Sequence, residues 1–147
     1  MIHIQLVKTS EEIKKCFPVM KQLRPAFSED DFIMQVERQQ KNGYLLVFLD
    51  ENDTVKSLAG FHISESLSWG EYLYVDDFIT DEKSRSKGFG SQVFDWLVGY
   101  AKQKKLDALH LDSGVQKERL DAHRFYFNQK CIFPLITLFL SFLKCNS

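Results

Sequence analysis

The sequence has 147 residues and a mass of 17.2 kDa, the commonest size of a single domain, so we expect one domain over residues 1–147. Hydrophobic residues make up 44% of the chain and charged residues 27%, which allows a buried core and excludes a disordered chain. Nineteen Lys and Arg against twenty Asp and Glu give a net charge of -1, which argues against a nucleic-acid partner.

The cysteines and the N-terminal residues indicate the cellular compartment in which the protein is expected. Cys16, Cys131 and Cys145 are too few and too scattered for a disulfide framework, which favours a reducing environment. The first residues show no secretory signal, and the apolar run Ile132 to Leu143 is too short to span a membrane and contains Pro134. We therefore expect a cytoplasmic protein with no membrane partner.

The first third of the chain predicts a strand and two helices. Ile2 to Val7 alternates and indicates a strand, and Thr9 with Glu12 forms a capping-box pattern before a helix that contains Pro18. The apolar residues of this helix have helical spacing: Ile13, Cys16, Phe17, Met20 and Leu23. Ser28 is expected to cap a second helix, which Gly43 ends.

The remainder predicts a mixed sheet with helices on both faces, the α/β class. A hairpin of Tyr44 to Leu49 and Val55 to Ile63 flanks an expected turn at residues 50–53. The elements expected after it are a strand at Tyr72 to Ile79, a helix after Gly90, a strand at Ala108 to Leu111 and a short helix at Leu120 to Gln129.

One segment combines a strand, a glycine-containing loop and a helix start. The strand containing Phe78 is followed by Arg85, Gly88 and Gly90 and then by the amphipathic helix. This order favours an anion site, because unpaired N–H groups point from the helix start and glycines let a phosphate approach. A dinucleotide fingerprint would need glycine where Val93 stands, and no phosphate-loop Lys-Ser/Thr pair is present.

The pattern Arg85-x-x-Gly88-x-Gly90 resembles the acetyl-coenzyme A (acetyl-CoA) pyrophosphate loop of the GCN5-related N-acetyltransferase (GNAT) family. The element order resembles that family over residues 1 to about 130, with Phe125 and Tyr126 in the last helix. The resemblance implies a GNAT-like central mixed sheet and transfer of an acetyl group from acetyl-CoA to a primary amine.

The resemblance also implies the residues that bind acetyl-CoA. The backbone of Phe78, Ile79 and Thr80 would pair with the pantetheine arm as an added strand does. The pyrophosphate would lie against the loop made by Ser86, Lys87, Gly88, Phe89, Gly90 and Ser91. Arg85 and Lys87 would add positive charge near the phosphates.

For the reaction itself, Tyr126 matches the family's usual general acid, and Asp76 matches the base of the polyamine-type acetyltransferases. An amine acceptor is mostly protonated at neutral pH, so a base must remove a proton before attack. Strand alternation places Asp76 and Asp77 on opposite faces. The resemblance implies a small cationic amine as acceptor, which both aspartates could attract, and a peptide N-terminus is the alternative acceptor. Arg24, Phe27 and Trp69 lie in loops expected to border the acceptor pocket.

The four histidines have no metal-ligand spacing, so we expect no metal, and we expect each histidine on the surface of its element. They are His3, His62, His110 and His123.

The tail, residues 131–147, departs from the family pattern because the usual glycine after Tyr126 is absent and an apolar run follows. We expect Leu135 to Leu143 to form a strand beside Ala108 to Leu111, with a helix as the alternative. Such a strand would leave an apolar face for a homodimer contact. The alternative functions are a catalytically degenerate acyl-CoA-binding or sensor module, and an α/β domain with an incidental glycine loop.

Overall fold

The computed structural model describes residues 1–111 and the backbone of residues 136–138. The helix expected at Leu120 to Gln129 lies outside the described residues. The elements are β1 (Ile2–Leu6), α1 (Ser10–Leu23), α2 (Glu29–Gln40), β2 (Leu45–Glu51), β3 (Thr54–Ser66), β4 (Gly70–Thr80), α3 (Phe89–Gln103), β5 (Ala108–Leu111) and β6 (Ile136–Leu138). A 3-10 turn at Glu82–Ser84 precedes α3.

The sheet is mixed, as the sequence predicted. Its strand order is β1-β2-β3-β4-β5-β6. The β1–β2 and β2–β3 pairs are antiparallel, whereas the β4–β5 and β5–β6 pairs are parallel. Parallel neighbours need a crossover connection, which α3 supplies between β4 and β5.

The chain groups into two compact units. The first contains Met1–His62 and Asp77–Trp96, and the second contains Ile63–Asp76 and the described part of Leu97–Ser147. β3, β4 and α3 each contribute residues to both units.

In the first unit β2 is covered on both faces, and its five central residues are all buried. One face carries Leu46 and Phe48, which belong to the same buried cluster as the apolar residues of α1 and α2. On the other face Phe61 of β3 packs edge-on against Trp96 of α3, with ring centroids 6.1 Å apart. This arrangement confirms helices on both sides of the sheet.

The two helix starts follow the predicted caps. Thr9 accepts a hydrogen bond from the Glu12 N–H while the Glu12 carboxylate accepts one from the Thr9 N–H, a complete capping box. Ser28 accepts from the Asp31 N–H at the start of α2. Pro18 lies within α1, which runs without a break to Leu23.

The hairpin turn is shorter than expected. Asp50 and Glu51 belong to β2, and the turn consists of Asn52 and Asp53, both with positive φ (51° and 68°). Two consecutive residues with positive φ form a tight turn whose twist matches that of the flanking strands. The strands can therefore extend as far as Asn52 and Asp53.

In the second unit the prediction of a tail strand beside Ala108 to Leu111 is confirmed at Ile136–Leu138, where β6 pairs in parallel with β5. The other tail residues lie outside the described residues. No helix in the part of the chain that the structure describes is long and apolar enough to cross a membrane.

Candidate functional site

The loop between β4 and α3 is fixed to α1 at its start. Gln22 of α1 donates to the Asp81 carboxylate (2.8 Å) and accepts from the Glu82 N–H (3.0 Å). The Ser84 hydroxyl donates to the second Asp81 oxygen at 3.1 Å. The Gln22 hydrogen bond is the largest cause that lowers the pKa of Asp81 from its ordinary value. The first turn of the loop is therefore held in one conformation.

The second half of the loop has an open, left-handed backbone. Ser86 has φ of 67° and Gly88 has φ of 85°, and no heavy atom lies within 4 Å of a Cβ placed on Gly88. The Gln92 N–H donates to the Gly88 carbonyl at 3.1 Å, so the Phe89 and Gly90 N–H groups precede the first hydrogen bond of α3. N–H groups at a helix start beside an uncrowded glycine are suited to bind a phosphate.

The cationic side chains expected near the phosphates, Arg85 and Lys87, are both exposed. Arg85 Nε lies 3.5 Å from the Thr80 carbonyl oxygen, which keeps its side chain near the end of β4. Both side chains can therefore reach an anion at the start of α3 without crossing the core.

The end of β4 is fixed on the β3 side. The buried Ser57 hydroxyl donates to the Ile79 carbonyl (3.2 Å) and lies 3.0 Å from Thr80 Oγ1. Beyond the strand, the Asp81 N–H donates to the Lys56 carbonyl at 2.8 Å. These bonds hold the backbone of the segment that was predicted to pair with pantetheine.

Gly90 allows the start of α3 to approach β4. A Cβ at this position would lie 3.0 Å from Thr80 Oγ1 and 3.8 Å from Phe78 Cε1. A larger residue would push the helix start away from the strand end, so the second loop glycine has a packing role.

Asp77 is the centre of a polar cluster that joins three elements of the first unit. Arg24, the C-cap of α1, donates to Asp77 Oδ1 through Nε (3.0 Å) and Nη2 (2.8 Å). The Tyr44 hydroxyl donates to Asp77 Oδ2 at 2.8 Å. Tyr44 lies directly over Gly60 of β3, and a Cβ on Gly60 would clash with the Tyr44 ring and lie 2.9 Å from Asp77 Oδ2.

Among the residues predicted on the acceptor side, the structure brings Arg24 and Asp77 together. Phe27 packs edge-on against Phe32 with centroids 6.4 Å apart, and Trp69 stacks on His110. Asp76, the predicted base, is exposed, and alternation along β4 points it away from the face that Asp77 occupies. Tyr126, the predicted acid, lies outside the described residues.

The expectation that His110 is a surface residue is wrong. His110 is 1% exposed, and the other three residues of β5 are buried as well. Trp69 stacks on its ring with centroids 3.5 Å apart, and Tyr72 packs edge-on at 5.4 Å. Neither ring nitrogen has a hydrogen-bond partner among the residues that the structure describes, and burial lowers the pKa of His110 to about 4.

Four residues of this region were not singled out from the sequence: Gln22, Ser57, Tyr44 and Gly60. Gly60 carried a usable signal, because an isolated glycine inside a strand often marks a close approach of another group. The other three act through contacts to residues more than 20 positions away, which no local pattern indicates.

Comparison with known proteins agrees with this fold. The profile of the acetyltransferase (GNAT) family matches residues 6–131. An uncharacterized N-acetyltransferase of Bacillus subtilis (strain 168), YhdJ, is 34% identical over 127 residues, which cover 86% of this chain and 88% of the relative. The chain therefore belongs to the GNAT acetyltransferase family.

Two solved structures show the same fold. The ribosomal-protein-alanine N-acetyltransferase of Brucella melitensis biovar Abortus 2308 superposes with a TM-score of 0.73 at 15% identity, covering 86% of this chain and 89% of that one. A predicted acetyltransferase of Clostridium acetobutylicum, solved with acetyl-CoA, gives 0.64 at 15% identity, covering 90% and 92%. At these identities the likeness concerns the fold alone.

Proposed function

We propose that this protein transfers an acetyl group from acetyl-CoA to a primary amine by direct attack within a ternary complex. The observation that carries the proposal is the open loop at Ser86–Ser91, where Ser86 and Gly88 have positive φ and the N–H groups at the start of α3 are suited to bind a phosphate. Membership of the GNAT family supports acetyl transfer as the general reaction.

The residues at the end of β4 and in the loop fit acetyl-CoA. When bound, acetyl-CoA supplies the acetyl group as an activated thioester. The N–H groups at the start of α3 would hold its pyrophosphate, with Arg85 and Lys87 adding charge. The backbone of Phe78–Thr80, already fixed by Ser57, would hold the pantetheine arm.

Asp76 is proposed as the base that removes a proton from the acceptor ammonium, and Tyr126 as the acid that protonates the departing thiolate. Asp77 does not suit the role of base, because Arg24 and Tyr44 donate to its two oxygens. Both oxygens of Asp77 are therefore already occupied by hydrogen-bond donors.

The proposed acceptor is a small molecule whose reacting amine is protonated, and therefore cationic, at neutral pH. Because Arg24 neutralises Asp77, the attraction for the ammonium group comes chiefly from Asp76. The competing function is a catalytically degenerate module that would bind acetyl-CoA without transferring its acetyl group. The atypical apolar tail favours this alternative.

The test measures acetyl-amine formation and thiol release with acetyl-CoA and a panel of primary amines. Asp76→Asn should lower kcat by about a hundredfold or more, and Tyr126→Phe should also lower it, both with unchanged acetyl-CoA affinity. Asp77→Asn is the matched control and should act mainly on KM. A larger kcat loss in Asp77→Asn would reverse the two roles, and binding without transfer by the parent protein would favour the degenerate module.

A further inference from the structure

The guanidinium of Arg24 is the more exposed partner of the Arg24–Asp77 ion pair. The Asp77 side chain is 15% exposed and the Arg24 side chain is 47% exposed, so a molecule that approaches this pair meets the guanidinium first. The carboxylate already accepts three hydrogen bonds from Arg24 and Tyr44. An incoming ammonium group could reach it only by displacing Arg24.

The guanidinium is also held in one position. Its Nε and Nη2 both donate to the same oxygen of Asp77, which fixes the plane of the group. Asp77 is fixed in turn by Tyr44, whose ring reaches across β3 only because residue 60 is glycine. A fixed and half-exposed guanidinium is pre-organised to bind a planar or tetrahedral oxyanion.

Its place in the fold connects it to the proposed reaction. Asp77 immediately precedes Phe78–Thr80, the segment proposed to hold the pantetheine arm. We infer that Arg24 is a specificity-determining residue that binds an oxyanion of the acceptor, so that the acceptor is an amine bearing a carboxylate or phosphate group. This assignment rests on the proposed function, because it places the acceptor beside this end of β4.

The test compares equilibrium binding of matched amine pairs to the full-length protein in the presence of coenzyme A. The pairs are an α-amino acid with its carboxamide, for a carboxylate, and phosphoethanolamine with ethanolamine, for a phosphate. The parent protein should bind the acidic member of one pair about tenfold to about a hundredfold more tightly. The pair that shows this preference identifies the oxyanion.

Arg24→Gln should remove the preference, because the acidic member loses its cationic partner, while affinity for acetyl-CoA stays the same. Lys14→Gln, which removes an exposed charge from the same helix, is the matched control and should keep the preference. Equal binding of both members by the parent protein, or tightest binding of a polyamine, would overturn the inference. A loss of kcat in Arg24→Gln that is the same for every acceptor would also overturn it, since it would indicate a role in the reaction step.

Measurements of acetyl-CoA binding and of turnover distinguish a failure of the proposed function from a failure of the role assigned to Arg24. If the parent protein acetylates amines but binds the acidic and neutral members of each pair equally, only the role assigned to Arg24 is wrong. If acetyl-CoA itself does not bind, the proposed function fails.

Discussion

Among single residues, His110 should have the clearest effect on the pH dependence of the free energy of unfolding. Its ring is buried between Trp69 and Tyr72 with no hydrogen bond to a described residue, so the neutral form is strongly favoured in the folded protein. The folded pKa is about 4, whereas an unfolded histidine titrates near 6.5. Between these two values the unfolded chain binds the additional proton.

The free energy of unfolding should therefore fall as the pH drops from about 6.5 to about 4 and level off below. For this one group the loss is about 3 kcal/mol. Urea unfolding of the parent protein and of His110→Phe across this range measures the effect, because phenylalanine keeps the ring stack and does not titrate. A parent protein and a His110→Phe variant with parallel pH profiles would show that His110 is not buried as a neutral ring.

The environment of His110 could not be read from the sequence. Alternation is the signal that separates the two faces of a strand, and β5 has only four residues, all buried. The cluster around Asp77 was only partly predictable. Arg24 and Asp77 were both assigned to the acceptor side from the resemblance, but their contact with Tyr44 depends on a side chain that crosses a neighbouring strand.

At the scale of elements, α1 is attached to the β2–β3 hairpin by Lys15. Its ammonium group donates to the buried Asp50 carboxylate at 3.0 Å and to Asp53 in the turn. The hydrogen bond to Asp53, followed by the one to Asp50, raises the pKa of Lys15. Asp50 is 8% exposed, so removing its partner would leave a buried carboxylate poorly compensated.

Lys15→Met should lower the free energy of unfolding by about 2 kcal/mol, as expected for breaking a partly buried ion pair. Lys14→Met changes the adjacent, exposed lysine and should have an effect of less than about 0.5 kcal/mol. Urea denaturation at neutral pH compares the two variants with the parent protein. Equal stability of both would mean that the Lys15 contact does not attach the helix to the hairpin.

The helix starts were predictable because a cap is a local pattern: Thr9 with Glu12, and Ser28 alone, each use neighbours within three residues. The length of the hairpin turn could not be predicted, because Asp50 and Glu51 have polar side chains typical of a turn. Asp50 lies in the strand because Lys15, 35 positions earlier, compensates its charge.

At the scale of the whole molecule, the family and the mixed sheet follow from the order of elements and one loop motif, both of which span long stretches of sequence. The Arg85-x-x-Gly88-x-Gly90 pattern was informative because each position has a conformational or electrostatic reason in the structure. A homodimer through the apolar tail and a cytoplasmic location stay predictions, as does the single domain over residues 1–147.

The proposed function requires above all that the loop at Ser86–Ser91 binds the pyrophosphate of acetyl-CoA. Calorimetric titration of acetyl-CoA into the parent protein, Gly88→Val and Gly43→Val tests it most directly. Both glycines have positive φ (85° and 99°) and open surroundings, so valine strains the backbone similarly at each. We expect Gly88→Val to weaken binding at least about tenfold, because the side chain would occupy the space proposed for the phosphate, while Gly43→Val binds as the parent does. A folded Gly88→Val variant with the affinity of the parent protein would contradict the account.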